Sequence, residues 1–188
     1  MSQRFDFQSA PMAGLYTIEK KPISDSRGFF SRLFCAEELQ EIGLHKPIVQ
    51  MNHTHTNKKG SIRGMHYQTP PHAETKIVTC IRGAVMDVAV DIRHNSPTFL
   101  HYYTEELTAQ NQKSLFIPEG FAHGFQTLSD DCELLYLHTA HYQSDAEAGL
   151  NPKDPALGIE WPLMSTELSK RDQSHPMIDQ QFIGLINT

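Results

Sequence analysis

Turn residues cut this chain into short segments about eight to twelve residues apart, and that punctuation limits the fold more than any other feature. The segments between the breaks predict strands at Gly14–Lys20, Gly28–Phe34, Ile48–Thr56, Gly60–Gln68 and Lys76–Ile81. Further strands are expected at Ala84–Ile92, Thr98–Leu107, Ser114–Ile117, Gly124–Leu128 and Glu133–His141. Only Ala36–Ile42 and Thr166–Arg171 have a helical pattern. So many short strands without an internal repeat imply an all-β sandwich or barrel, here a jelly roll with a few peripheral helices. The mouth of such a barrel is a natural ligand pocket. At 188 residues the chain suits a single domain spanning 1–188.

The strand at Ala84–Ile92 alternates cleanly. Met86, Val88, Val90 and Ile92 share one face, and Val85, Asp87, Ala89 and Asp91 the other. Two carboxylates on one face fit a solvated interior, a ligand side or an ordinary solvent face, and the alternation alone favours the solvent face.

Composition narrows the function classes. The net charge of −6 comes with no block of Lys or Arg, which opposes nucleic acid as a partner. No apolar run approaches the ~20 residues that span a bilayer, so no membrane partner is expected. The start, MSQRFDF, lacks the apolar stretch of a secretory signal and predicts a cytoplasmic location. Cys35, Cys80 and Cys132 form no CxxC pair, which argues against a disulfide framework and a zinc site. Eleven histidines suggest chemistry near neutral pH.

Pro118-Glu119-Gly120-Phe121-Ala122-His123 has the PxGxxH form of the second cupin motif. In metal-binding cupins that histidine joins an HxH and a glutamate from the first motif. The HxH here is His53-Thr54-His55, and Lys59 and Gly60 stand where the glutamate should follow. An imidazole-built divalent site usually has three protein ligands, so the set is incomplete and no metal is expected. His123 is then either a ligand contact or a turn-stabilising residue. The densest stretch is Gly60–Pro71. On a regular strand Ile62, Gly64, His66 and Gln68 share a face. His66 beside a glycine could meet a substrate or be a core histidine bonded to a carboxylate; spacing does not separate the two.

Ordered motifs run through most of the chain: Asp25-Ser26-Arg27-Gly28-Phe29-Phe30, Arg63-Gly64-Met65-His66-Tyr67-Gln68, Lys76-Ile77-Val78 and Arg82–Arg93. Ser96-Pro97-Thr98-Phe99, Ile117–Phe125, Glu133-Leu134-Leu135-Tyr136, Ile159-Glu160-Trp161-Pro162 and Leu168-Ser169-Lys170-Arg171-Asp172 complete the series. In these the sequence resembles the dTDP-4-dehydrorhamnose 3,5-epimerases, the RmlC-like enzymes of nucleotide-sugar metabolism. The resemblance implies a cupin-type double-stranded β-helix that acts on a nucleotide-linked 4-keto-6-deoxyhexose without a cofactor. Protons on C3 and C5 are acidified by the C4 ketone; removal gives an enolate, and reprotonation from the opposite face inverts the centre. Such chemistry requires a base, an acid across the ring and positive charge at the enolate oxygen.

The same resemblance makes His66 the base, paired with Asp172. It makes Tyr136 the acid and Lys76 the charge at the oxygen. Arg63 and His123 would line the pocket. Arg27, Phe29, Arg32, Gln50, Asn52 and His141 fall at nucleotide- and phosphate-binding positions. Some of these come from the neighbouring subunit in the family, which implies a homodimer with exchanged N-terminal strands. Surface-polysaccharide synthesis, such as O-antigen of lipopolysaccharide, is the implied context.

The sequence departs from the family pattern where the nucleotide should sit. Arg32 replaces an acidic residue, which would leave a like-charge contact beside Arg27. Met51 replaces an aspartate, Phe116 a tryptophan, and His141-Tyr142 stands where two tyrosines are usual. These departures raise a GDP- or CDP-linked sugar as an alternative to dTDP, and inversion at C3 or C5 alone as an alternative to both. The competing classes are a 3,4-ketoisomerase, a nucleotide-sugar-binding cupin without catalysis and a metal-dependent cupin dioxygenase.

Overall fold

The computed structural model describes residues 3–186. In chain order the first strands are β1 (Phe5–Ser9), β2 (Tyr16–Lys20), β3 (Ile23–Asp25) and β4 (Gly28–Phe30). Helix α1 (Ala36–Leu39) runs on into one 3-10 turn at Gln40–Ile42. Then come β5 (Gln50–Thr56), β6 (Ile62–Gln68), β7 (Lys76–Arg82), β8 (Ala84–Asp91), β9 (Tyr102–Thr108) and β10 (Lys113–Ile117). The last elements are β11 (Phe121–Thr127), β12 (Cys132–His138), β13 (Glu147–Gly149) and helix α2 (Lys170–Ser174).

The expected jelly roll is present as two antiparallel sheets. One has the order β1-β2-β10-β7-β12-β5, the other β13-β6-β11-β8-β9. Between them lies a core drawn from both: Val78, Leu115 and Leu134 meet Val85, Ala89, Leu107 and Phe125. The outer faces are covered as well. Leu39 and Ile42 of the first helical turns pack on Ile18, Ile77 and Phe116. The proline-rich C-terminal segment lays Trp161, Ile178, Phe182 and Leu185 over Val88, Val90 and Ile92. The sheet of β8 therefore has no solvent face. Asp87 and Asp91 point inward and are fully buried, contrary to the solvent face that alternation favoured.

Local sequence explains the element ends. The β7–β8 hairpin turns on Gly83 at φ +76, where a Cβ would come within 2.6 Å of Ser129 Oγ. Strand β9 begins only at Tyr102, later than Thr98, because the Asp91 carboxylate accepts from Ser96 Oγ and Thr98 Oγ1, both at 2.6 Å, and holds them in a turn. The helix expected at Thr166–Arg171 starts at Lys170 instead. Residues 166–168 are drawn to the barrel by backbone bonds, Thr166 N to Gly60 O and Ile62 N to Glu167 O. The helix then begins under its Ser169 cap, whose Oγ accepts from Asp172 N at 3.0 Å. The strand expected at Gly28–Phe34 ends at Phe30 and pairs only with β3 as a separate ribbon. Strands β1 and β13 went unread in the sequence. β1 pairs with β2 of its own chain. Among the described residues, no helix is long and apolar enough to cross a membrane.

Candidate active site

One end of the barrel opens into a cavity of about 1000 Å³. Its wall contains Arg63 and His66 of β6, Lys76 of β7, His123 of β11 and Tyr136 of β12, with Asp172 from α2. A bulge makes this grouping possible. Strand β6 pairs with β11 as His66↔His123 and Arg63↔Phe125, so β6 spends one residue more than its partner between the two pairs. That extra residue reverses the alternation and brings Arg63 to the same cavity as His66. Gly64 occupies the bulge at φ +124; a Cβ there would lie 2.5 Å from Gly124 Cα. The regular face of Ile62, Gly64, His66 and Gln68 is broken at this point.

His66 Nε2 lies 2.8 Å from Asp172 Oδ1. Asp172 is buried, and its other oxygen accepts the Gly64 N–H at 3.3 Å. Burial alone would raise its pKa. The hydrogen bond and charge of His66, with support from Gly64 and Ser169, outweigh burial and hold the carboxyl at about 2. A second neighbour, Arg171 Nη2, stands 2.9 Å from the same His66 nitrogen. Nε2 cannot both donate to Asp172 and accept from Arg171. It donates to the buried carboxylate, while Arg171 is half exposed and anchored to Glu147 at 3.0 Å. This tautomer leaves Nδ1 of His66 as the basic nitrogen.

Tyr136 is buried between two imidazoles. The His123 ring is edge-on at 5.9 Å, and the His138 ring is stacked at 6.0 Å. Burial and the nearby charge of Asp87 push the Tyr136 hydroxyl up, so it stays protonated as an acid must. His123 Nε2 is 2.8 Å from Asp87 Oδ1, deep in the barrel. Burial raises the pKa of Asp87, against the pull of His123 and Lys76. Lys76 Nζ lies 3.4 Å from the His66 carbonyl and 3.2 Å from Glu74 Oε1.

The expected binding residues divide. Asn52 lines the cavity; Gln50 does not, and its Nε2 donates to Asn52 Oδ1 at 3.2 Å. His141 does not line it; its neighbour Tyr142 does, with the hydroxyl donating to Glu147. Arg27, Phe29 and Arg32 also stay outside; Arg27 and Phe29 belong to the β3–β4 ribbon, which pairs with neither main sheet, and Arg32 follows it. Phe29 is 64% exposed. The like-charge contact expected between Arg27 and Arg32 is absent: Arg27 pairs with Asp25, and Arg32 with Glu38. Met51 is exposed on β5, outside the cavity.

The HxH pair is spent on surface carboxylates, His53 with Glu133 and His55 with Asp131. Among the described residues, one set of three donors, His66, Asp172 and His175, lies within 4.8 Å of one another. The Arg171 guanidinium beside His66 Nε2 places a cation where a metal would have to sit. Glu74 and His138 are cavity residues that the sequence reading missed. Their signal was available: each lies two positions from an expected site residue, Glu74 from Lys76 and His138 from Tyr136, the spacing of one strand face.

A dyad that can take a proton, a phenol that can give one and an ammonium within one cavity define an acid–base isomerase on a jelly roll. The model of the dTDP-4-dehydrorhamnose 3,5-epimerase family matches residues 9–180. The Salmonella typhimurium dTDP-4-dehydrorhamnose 3,5-epimerase is 44% identical over 168 residues, covering 88% of this chain and 91% of its own. The Sinorhizobium fredii enzyme of the same name is 40% identical, covering 92% and 89%. A Legionella pneumophila 3,5-epimerase crystallised with dTDP-4-keto-L-rhamnose superposes with a TM-score of 0.90 at 35% identity, covering 96% of this chain and 98% of that one. The chain belongs to the dTDP-4-dehydrorhamnose 3,5-epimerase family.

Proposed function

We propose that the chain inverts C3 and C5 of a dTDP-linked 4-keto-6-deoxyhexose through an enolate. The observation that carries this reading is the His66–Asp172 dyad facing the cavity that also holds Tyr136 and Lys76. His66 Nδ1 takes the proton from a carbon next to the ketone. The carboxylate of Asp172 steadies the imidazolium that forms. Lys76 Nζ balances the charge that grows on the C4 oxygen. Tyr136 delivers a proton to the opposite face, and solvent restores it. Arg63 and His123 hold the substrate.

The nucleotide is dTDP, as in the relatives. Of the departures that raised GDP and CDP, Met51 lies outside the cavity and Arg32 is neutralised by Glu38. The protein acts as a cytoplasmic homodimer on this reading. Its exchanged element is the β3–β4 ribbon rather than β1. The ribbon pairs with neither sheet, and it carries Arg27 and Phe29 away from this chain's own cavity, free to reach a partner's.

The test is proton NMR in D2O with dTDP-4-keto-6-deoxyglucose and catalytic protein. Loss of both the C3 and C5 proton signals is expected, and loss of one alone would make the protein a mono-epimerase. Folded protein that exchanges neither would overturn the reading. His66→Asn should abolish exchange while calorimetry still shows dTDP binding in preference to GDP and CDP.

A further inference from the structure

A line of hydrogen bonds crosses the cavity wall from the binding strand to Lys76. The Tyr142 N–H donates to Gln50 Oε1 at 3.1 Å, and Gln50 Nε2 donates to Asn52 Oδ1 at 3.2 Å. Asn52 Nδ2 donates to His138 Nε2 at 3.2 Å, and His138 Nδ1 donates to Glu74 Oε2 at 2.8 Å. The line ends where Lys76 Nζ meets Glu74 Oε1 at 3.2 Å. Every donor points the same way, toward the Glu74 carboxylate. That polarity fixes His138 as the Nδ1–H tautomer, because Nε2 must accept from the Asn52 amide.

Glu74 and His138 are about nine-tenths buried in their side chains, as is Lys76. Burial would raise the Glu74 carboxyl; its bonds to His138 and the charge of Lys76 bring it below the ordinary carboxylate range. A lysine is a point charge on a flexible stem and has to be held if it is to sit beside a developing oxyanion. The other polar contact of Nζ is the His66 carbonyl at 3.4 Å. Glu74 is therefore the main anchor, and His138 holds Glu74 while its ring stacks on Tyr136.

We propose that Glu74 and His138 are positioning residues for Lys76, joining it through Asn52 and Gln50 to the strand that meets the substrate. Occupation of the Asn52 side then sets the place of the ammonium across the cavity. This inference rests on the epimerase reading.

The test compares wild type with Glu74→Gln and Glu74→Asp in the deuterium-exchange assay. Glutamine offers one acceptor and one donor. If its oxygen keeps Lys76, its amide faces His138 Nδ1 and forces the other tautomer, which cuts the bond from Asn52. We expect kcat to fall about tenfold to a hundredfold in Glu74→Gln, with KM changed less than about threefold. The imidazole 15N resonances of His138 should move to the Nε2–H tautomer in that variant, a signature a purely structural role would not produce. Glu74→Asp should recover part of the kcat loss and the wild-type tautomer. If wild type exchanges both protons and Glu74→Gln keeps wild-type kcat and the Nδ1–H tautomer, the positioning role is overturned and the epimerase reading stands. If wild type exchanges neither proton, both fall together.

Discussion

Replacing Asp172 by asparagine keeps the shape beside His66 and removes the charge. The carboxyl titrates at about 2 rather than 3.8. That difference corresponds to about 2 kcal/mol of preference for the ionised form. His66 supplies the largest share of the stabilisation, through its hydrogen bond and its charge. The same interaction steadies His66 when it holds the substrate proton, so the neutral amide forfeits up to about 2 kcal/mol in the step that forms the enolate. A loss of that size lowers kcat about 30-fold. The amide also offers an N–H where the carboxylate accepted, which favours the wrong imidazole tautomer and adds to the loss. Loss of the C3 and C5 proton signals in D2O gives the rate directly. Folded Asp172→Asn protein that exchanges within about twofold of wild type would refute the dyad as the source of basicity. Stability carries a second signature. The folded carboxyl titrates below the unfolded one, so its contribution is full above about pH 4 and is lost as pH falls toward 2. Other carboxylates, Asp91 among them, titrate in the same window, so the reading is the difference: the urea stability of wild type minus that of the asparagine variant should shrink by about 2 kcal/mol as pH falls through it.

Two further predictions concern different parts of the barrel. Tyr136→Phe removes the acid and leaves the base, so solvent exchange at C3 should persist while net inversion, followed by the sugar ring couplings, falls about a hundredfold. Equal loss of both would place Tyr136 elsewhere in the reaction. Asp91→Ala strips the partner from Arg93, whose Nη2 lies 2.7 Å from the buried carboxylate, and frees the turn at Ser96 and Thr98. It should cost about 3 kcal/mol in urea unfolding. A cost under about 1 kcal/mol would show that water replaces the carboxylate.

The strand punctuation revealed the barrel because turn chemistry is local. Gly83 turns β7 into β8 with the residues at hand, and alternation in Ala84–Ile92 marks both faces of β8. What it did not reveal is what covers those faces. Asp87 and Asp91 read like a solvent side because nothing within the strand says that a second sheet closes over that face and the chain beyond Tyr142 over the other. The tail itself lacks periodicity: Trp161, Ile178, Phe182 and Leu185 are spaced by prolines and bends, and Val88, Val90 and Ile92, which they cover, lie more than sixty residues earlier. Long-range packing of this kind leaves no period to read. The start of α2 failed for a related reason. The tertiary backbone bonds at Gly60 and Ile62 take residues 166–168 out of a helix that their propensity would favour.

The site shows the same division more sharply. His66, Asp172, Tyr136 and Lys76 were legible only through motif resemblance, since spacing alone left His66 between a base and a core histidine. Once the chain is folded, the two readings merge: His66 is bonded to a buried carboxylate and also faces the cavity. The placement of Arg63 shows why spacing was insufficient. Strict alternation puts residues 63 and 66 on opposite faces, and the bulge at Gly64 puts them on one. A bulge is set by how two strands meet, here by the close approach of Gly64 to Gly124, two positions sixty residues apart. Alternation is a property of one strand, whereas an active site on a sheet depends on where that alternation is interrupted by another. The glycine in Arg63-Gly64-Met65-His66 is therefore as much a determinant of the cavity as the histidine. A side chain at Gly64 would meet the backbone of Gly124 and disturb the bulge that turns Arg63 toward the cavity.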